Sequence, residues 1–562
     1  MEANPVRIVQ YFDGEKQSII PLFQRPYTWN KRNWQSLWDD IMAYYEDSLS
    51  GSHFMGAVVS IPAKTVPVGV TKHLVIDGQQ RLTTIAVMMC ALRDSCDEKR
   101  SAQIQDHLVN RHYENSVDYL KLLPTQGDRV AYASIVNGTC SAGANKHLMV
   151  DCYDYFKKSL QEKDNNDEPI DAGKILEIVK SQLQVVMINL GEADDPYLIF
   201  ESLNFKGEPL SQADLVRNYI LMRFGYSLGD GGEQERIYEE IWRPMESRLG
   251  LKFEDFLWHY AIKDGDNVKK PKVYSSLKGR FSSLKEASEV EGRVGEMNKA
   301  SINYVRFLNP EKETNHQVKK ELALLDRLEA TISYPILINL FSARDDGQFD
   351  EDVLLKCLRH INSFIVRRTV CDEKRSALNK LFANIASRIP SDVVEMDEWI
   401  ATELVKRVRS ERWPDDDEFK QAMLTNNLYG TKAARIVLDG IEAYLAGKEV
   451  IDLDSNKITI EHIMPQTLSS VWQHEIGQDD DGHKRYVDTL GNLTLSGLNS
   501  ELGNMSFSEK RKIYSTSGIS MNRDISKCHK WSWTEIQQRS ELLANYAIKL
   551  WPMRSRDRKS VV

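Results

Sequence analysis

The sequence predicts an α+β protein, predominantly helical, with its strands confined to the two ends of the chain. Three observations carry that expectation. Up to about residue 115, short apolar runs alternate with stretches of helical period. From about 225 to 445, apolar residues recur at spacings of three and four. Beyond about 450, β-branched runs return in "KITIEHIMPQTL" (457–468) and "DTLGNLTLSGLN" (488–499). The expected division is a mixed domain over 1–225, a helical connecting region over 226–445, and a strand, long loop, strand and helix over 446–562.

The elements follow in order. Asn30 is suited to cap a helix. After it, Trp34, Leu37, Trp38, Ile41, Met42 and Tyr45 share one apolar face, which assigns both tryptophans to the core. "FMGAVVSI" (54–61) and "HLVIDG" (73–78) read as strands. The helix after Gly78 carries Leu82, Ile85, Ala86, Met89 and Leu92. "KDNNDEP" (163–169) reads as a surface loop and "LQVVMINLG" (183–191) as a buried strand. Within "PYLIFESLNFKGEPLSQADLVRNYILMRF" (196–224), Asn204 and Gly207 mark a turn, and Ser211 with Asp214 forms a capping box. "FEDFLWHYAI" (253–262) and "VLLKCLRHINSFIV" (353–366) are helical. "WPDDDEF" (413–419) reads as a solvated loop before a helix and "QDDDGH" (478–483) as a surface loop. No internal repeat is visible.

Composition bounds the function. With 562 residues, 41% apolar and 28% charged, the chain is globular and long enough for several domains. The longest apolar run, 85–92, is too short for a bilayer, and no secretory signal opens the chain. Seven cysteines form no C-x-x-C pair, against a zinc knuckle or disulfide framework. A cytoplasmic protein without a membrane partner is expected. The net charge of −9 counts against a general affinity for nucleic acid, so such binding needs a local patch.

Two stretches carry chemistry. In "HLVIDGQQRLTTIAVMM" (73–89), Asp77, Gly78, Gln79, Gln80 and Arg81 fall where a strand turns into a helix. Unpaired first-turn N–H groups and the helix dipole make such a junction an anion site. It reads equally as a polar turn. Near the C-terminus, His462 follows Glu461 at a strand end, Asn492 lies in the next strand's turn, and Asn499 starts a helix. A strand–strand–helix unit of this kind can gather a histidine, an acid and an amide for metal-assisted phosphodiester hydrolysis.

The C-terminal set, "EHIMPQ" followed by "LGNLTL", "N" and "FSEK", resembles the HNH (His-Me finger) nucleases of the GmrD type over roughly 435–550. The resemblance implies a ββα-metal fold. It makes His462 the general base, Glu461 and Asn499 the holders of Mg²⁺ or Mn²⁺, Asn492 the pin of the histidine loop, and Lys510 a stabiliser of phosphate charge. Many HNH enzymes have Asp before the histidine and His at the third position; here these are Glu461 and Asn499.

The N-terminal set is "PLFQRPYTW" (21–29), "FMGAVV" (54–59), "DGQQRLTT" (77–84) and "IFESLNFKGEPLSQADLVRN" (199–218). It resembles the GmrS-type, ParB-like domain over about 5–225. That implies nucleoside triphosphate binding and hydrolysis, with GTP foremost, at the turn around Asp77. There Gly78 permits close approach, Arg81 and Arg25 contact phosphate, and Gln79 and Gln80 orient water. No G-x-x-x-x-G-K-[ST] is present. Gln24, Arg25 and Tyr27 are candidates for sensing a modified nucleotide by stacking and hydrogen bonding.

Together the resemblances imply a fused GmrSD-type, type IV restriction endonuclease for antiphage defence. It would sense modified double-stranded DNA, hydrolyse NTP and nick or cut DNA. Glucosylated hydroxymethylcytosine and backbone phosphorothioate are the two modifications tied to such domains. The competing readings are an NTP-dependent sensor with a weak or silent nuclease, and an HNH nuclease of broad DNA or RNA specificity. The oligomeric state is left open, a homo-oligomer included.

Overall fold

A computed structural model describes residues 2–22, 24–63, 69–140, 147–191, 210–224, 232–378, 380–390, 395–447, 457–476 and 479–554. The chain forms two units, Met1–Pro244 with Tyr274–Val294, and Met245–Val273 with Gly295–Val562. The helices expected to form a separate connecting region are thus divided between the two units. Helices predominate in both.

The N-terminal unit is built on a mixed six-stranded sheet of order β1-β6-β3-β4-β2-β5. The strands are β1 (Glu2–Arg7), β2 (Lys16–Ile19), β3 (His53–Pro62), β4 (Thr71–Asp77), β5 (Leu122–Leu123) and β6 (Leu183–Asn189). β3, β4 and β6 coincide with the apolar runs read from the sequence; β1, β2 and β5 were not expected. β1 contains Pro5, which lacks a ladder N–H and is tolerated because β1 is an edge strand. β3 pairs in parallel with β6, and the register slips between Phe54 and Ala57, at Gly56.

Helix α1 (Lys31–Tyr45) is capped by Asn30, which accepts from the Arg32 N–H, an interaction worth about 1 kcal/mol. Its buried face is Trp34, Leu37, Trp38, Ile41 and Tyr45, as the spacing predicts. Helix α2 (Gln79–Arg93) follows β4 directly. It is buried on every side, Arg81 being its one partly exposed residue, and packs against α3 (Leu148–Ser159). That all-round burial suits its run of small and apolar residues from Leu82 to Leu92. The turn at Asn204 and Gly207 lies outside the described residues. The capping box beyond it is formed: Ser211 and Asp214 bond reciprocally at the head of α4 (Gln212–Met222).

In the C-terminal unit, helix α5 (Glu351–Val370) buries Arg367 and Arg368. They are tolerated because backbone carbonyls, and for Arg367 a carboxylate, accept most of their N–H groups. Arg367 donates to the Trp551 and Pro414 carbonyls and pairs with Asp416, while Arg368 donates to the Arg412, Lys374 and Ser410 carbonyls. Helix α6 (Lys432–Ala446) presents the buried Glu442, whose carboxylate accepts the Ser520 and Met521 N–H groups.

β7 (Thr459–His462) and β8 (Leu493–Ser496) then form a two-stranded antiparallel sheet. Part of the stretch expected as a surface loop at 478–483 is instead helical: α7 (Asp480–Tyr486), capped by Asp479 through the Gly482 N–H. A single good cap outweighed the weak propensity of "DDGH". A short turn of helix (Asn499–Leu502), α8 (Phe507–Ser515) and the long α9 (Trp533–Leu550) complete the unit. Its core gathers Ile463, Met464, Trp472, Leu502, Phe507, Tyr514, Trp531 and Ile536. All seven cysteines are free thiols. No helix among the described residues is long and apolar enough to cross a membrane.

Candidate nuclease and nucleotide sites

The β7–β8 hairpin places two adjacent residues on opposite faces, since side chains alternate along a strand. Glu461 lies opposite Thr494 and His462 opposite Leu493. On the Glu461 side, Lys510 reaches in from α8. Its Nζ donates to Glu461 Oε1 at 2.7 Å and to the His462 carbonyl at 2.8 Å. Asn499 joins from the short helix after β8. Its amide N–H₂ donates to Thr459 Oγ1 and to the Ile460 carbonyl at 2.9 Å. Asn499 Oδ1 is buried and has no hydrogen-bond partner among the described residues.

On the other side, His462 Nε2 lies 2.8 Å from Asp488 Oδ1. The Tyr429 ring packs against the imidazole, with centroids 4.2 Å apart and the planes tilted by 59°. Burial lowers the His462 pKa below its ordinary value, against the pull of Asp488, which favours a neutral ring at neutral pH. Burial also pushes Glu461 up and Lys510 down, each opposed by its partner.

Asn492 is the fixed point of the loop. It is fully buried and uses all four hydrogen-bonding positions of its amide. Oδ1 accepts from the Met464 N–H at 2.8 Å and from Trp531 Nε1 at 3.0 Å; Nδ2 donates to the Met464 and Val487 carbonyls at 2.9 and 2.8 Å. The segment just after His462 is therefore clamped to the turn before β8.

The hairpin thus brings Glu461, His462, Asn492, Asn499 and Lys510 together. It adds Asp488 and Tyr429, which sequence reasoning missed. Asp488 lies in the quoted stretch 488–499, four residues before Asn492; nothing local ties Tyr429 to His462. Among the described residues no three His, Cys, Asp or Glu side chains converge. A hard cation here would draw on the Glu461 carboxylate and the Asn499 amide oxygen. The unpartnered, buried Oδ1 fits that role, because an orphaned acceptor is costly unless something binds it.

In the N-terminal unit, Gly78 links β4 to α2 with φ of +93°, and a Cβ there would lie 3.0 Å from the Ala57 carbonyl. Both facts require glycine. The Asp77 carboxylate accepts the Gly78 N–H, and its charge is also favoured by Arg81 and Arg25; burial outweighs them and raises its pKa. Arg81 donates to the Ala57 carbonyl at 2.7 Å.

Other residues of this set are spent inside the unit. Gln80 accepts from the Thr28 N–H and donates to the Pro26 carbonyl, so it pins the 26–29 segment. Gln24 donates to the Ile76 carbonyl at 2.7 Å. Gln79 is buried. The Tyr27 hydroxyl is bonded to Thr84 and Trp34, and its N–H donates to Asp128. With Gln24 and Tyr27 each 5% exposed, neither presents a face on which a nucleobase could stack. The difference from expectation has a physical cause: an aromatic and an amide beside a proline turn serve a core as readily as a ligand. Asp77, Gly78, Arg81 and Arg25 are the partly exposed members of the set.

Comparison with known proteins first gives the class, a nuclease acting on DNA. Residues 8–221 match the model for the GmrSD restriction endonuclease, N-terminal domain, and residues 413–546 match that for the GmrSD restriction endonucleases, C-terminal domain. Together the matches cover more than half of the chain, which belongs to the GmrSD restriction endonucleases. The 77–81 turn lies in the first matched segment and the hairpin site in the second. No curated protein matches the chain.

Proposed function

We propose that this restriction endonuclease recognises modified invading DNA, hydrolyses nucleoside triphosphate in its N-terminal unit, and nicks or cuts DNA through a metal-dependent HNH centre on the β7–β8 hairpin. The observation that carries the reading is the hairpin geometry: a buried histidine beside a carboxylate, with an orphaned amide oxygen on the adjoining helix. His462, held neutral by burial, accepts a proton from the attacking water. Asn492 fixes the loop that follows the histidine. Glu461 and Asn499 would hold Mg²⁺ or Mn²⁺, which supplies polarisation of the phosphodiester and stabilisation of its developing charge. Lys510 neutralises Glu461 and tethers the His462 carbonyl.

In the N-terminal unit, the first-turn N–H groups of α2, which begins directly after Gly78, favour an anion. Arg81 and Arg25 supply positive charge, and Asp77 orients water or a cation. GTP is the first nucleotide to test.

The test is a cleavage assay with Mg²⁺, with and without GTP. The substrates are DNA carrying glucosylated hydroxymethylcytosine, phosphorothioate DNA, unmodified DNA and RNA, with His462→Ala in parallel. Cutting of one modified DNA, lost in the variant while NTP hydrolysis persists, is expected. No cutting of any substrate with DNA-stimulated NTP hydrolysis would replace this reading with that of a sensor. Equal cutting of unmodified DNA or of RNA would replace it with that of a broad-specificity nuclease.

A further inference from the structure

We propose that Asp488 is a positioning residue for His462: its carboxylate holds the imidazole in the tautomer protonated at Nε2 and so reserves Nδ1 as the basic nitrogen. The inference rests on the reading of His462 as the general base. A carboxylate only accepts hydrogen bonds, so the 2.8 Å contact makes Nε2 the donor. In a neutral ring the other nitrogen is then unprotonated. Nδ1 makes no hydrogen bond among the described residues.

Asp488 is itself held from several directions. Gln466 Nε2 donates to Oδ1 at 3.3 Å, and Asn427 Nδ2 reaches Oδ2 at 3.4 Å. The Asp488 carbonyl accepts the Leu428 and Tyr429 N–H groups at 3.0 and 3.3 Å. The preceding carbonyl, of Val487, is bonded to Asn492 Nδ2. The carboxylate therefore sits on a segment tied both to the pin of the histidine loop and to the strand of chain carrying Tyr429. Tyr429 in turn packs its ring on the imidazole. One aspartate thus connects a hydrogen bond at one edge of the imidazole to a tilted aromatic contact with the same ring, and the two together restrict its rotation.

In the reaction, a water oxygen attacks phosphorus and its proton passes to Nδ1. The bond from phosphorus to the leaving sugar oxygen breaks, and that oxygen takes a proton from solvent. The imidazolium formed donates from Nε2 to the Asp488 carboxylate, the role of the aspartate in a serine-protease triad. Removal of the charge while the shape is kept should therefore act on turnover and leave substrate binding alone.

The test uses the full chain with Asp488→Asn, Asp488→Ala and Asp488→Glu. DNA cleavage is resolved into kcat and KM, and thermal melting and NTP hydrolysis are measured alongside. The tautomer is read by ¹⁵N NMR of histidine-labelled, metal-free protein, with the His462 resonances assigned by their loss in His462→Ala. Expected are an Nε2-protonated His462 in the wild type and a kcat lower by about 10²–10⁴-fold in Asp488→Asn at unchanged KM and melting temperature. Asp488→Glu should recover part of the loss. A wild-type His462 protonated at Nδ1, or full kcat in Asp488→Asn and Asp488→Ala, overturns the proposal, as does a kcat that falls only in step with melting temperature. Full cleavage by His462→Ala would instead overturn the base assignment, which separates the two failures.

Discussion

Lys510 and Glu461 form an ion pair inside the C-terminal unit, with Nζ 2.7 Å from Oε1 and the lysine fully buried. A lysine free to contact phosphate would be exposed; this one neutralises a carboxylate taken out of water. Removing one partner leaves the other charge buried and unpaired. Lys510→Met is therefore expected to destabilise the C-terminal unit by about 3–5 kcal/mol. The double variant Lys510→Met/Glu461→Gln should recover much of that loss, and denaturant unfolding of both reads it. Lost cleavage in Lys510→Met at unchanged stability would assign the lysine to phosphate instead.

Asn492→Ala should behave as a folding lesion as well as a catalytic one. It strands the Met464 N–H and carbonyl, the Val487 carbonyl and the Trp531 indole N–H, all bonded to this amide. Unsatisfied buried groups cost about 1–3 kcal/mol each, and some will find water, so a total of about 3 kcal/mol or more is expected. Thermal melting checks this; a shift of a degree or less would mean that the clamp is not rigid.

Gly56→Ala tests the nucleotide site without substituting its charged residues. Gly56 has φ of +110°, and a Cβ there would fall 2.6 Å from Arg81 Nη2. The guanidinium must move off the Ala57 carbonyl, and the backbone strain adds about 1–2 kcal/mol. NTP hydrolysis should drop at least tenfold, in the direction of Arg81→Ala and Asp77→Ala, both of which are expected to abolish hydrolysis and phage protection. Normal turnover in all three would remove the 77–81 turn as the site.

His259 should make stability pH-dependent. Its Nδ1 lies 2.8 Å from the Tyr304 hydroxyl, and burial holds its pKa down to about 4, with Asp255 raising it and Lys270 lowering it. Between the ordinary value of 6.5 and 4, the unfolded chain takes up a proton that the folded chain refuses. Stability therefore rises with pH across that window and is lost as pH falls through it, by about 3 kcal/mol in all. Melting at pH 4.5 and pH 7, compared between wild type and His259→Phe, reads the difference. An identical slope in the two proteins would show that other groups carry it.

Several elements were legible because their signals are local. The apolar run, glycine and helical period of 73–93 produced β4, the left-handed Gly78 and α2. Asn30 and Ser211 capped the helices they announced. β1 escaped because Pro5 argues against a strand unless the strand is at an edge, and β2 because four residues show no period. Helix α7 escaped because a capped "DDGH" looks like a loop in isolation.

By itself the sequence determined the order of the motifs, the strand–turn–helix junction and the hairpin that carries Glu461 and His462. These depend on periodicity and capping, which act over a strand or a turn of helix. Only the tertiary structure decided that Lys510 would pair with Glu461, that Asp488 and Tyr429 would meet His462, and that Gln24 and Tyr27 would be spent on the core. Those outcomes depend on which side chains packing brings together across long stretches of chain, 26 residues for His462 and Asp488 and 57 for Tyr27 and Thr84, and on the burial that follows. Neither quantity is encoded in any one local pattern.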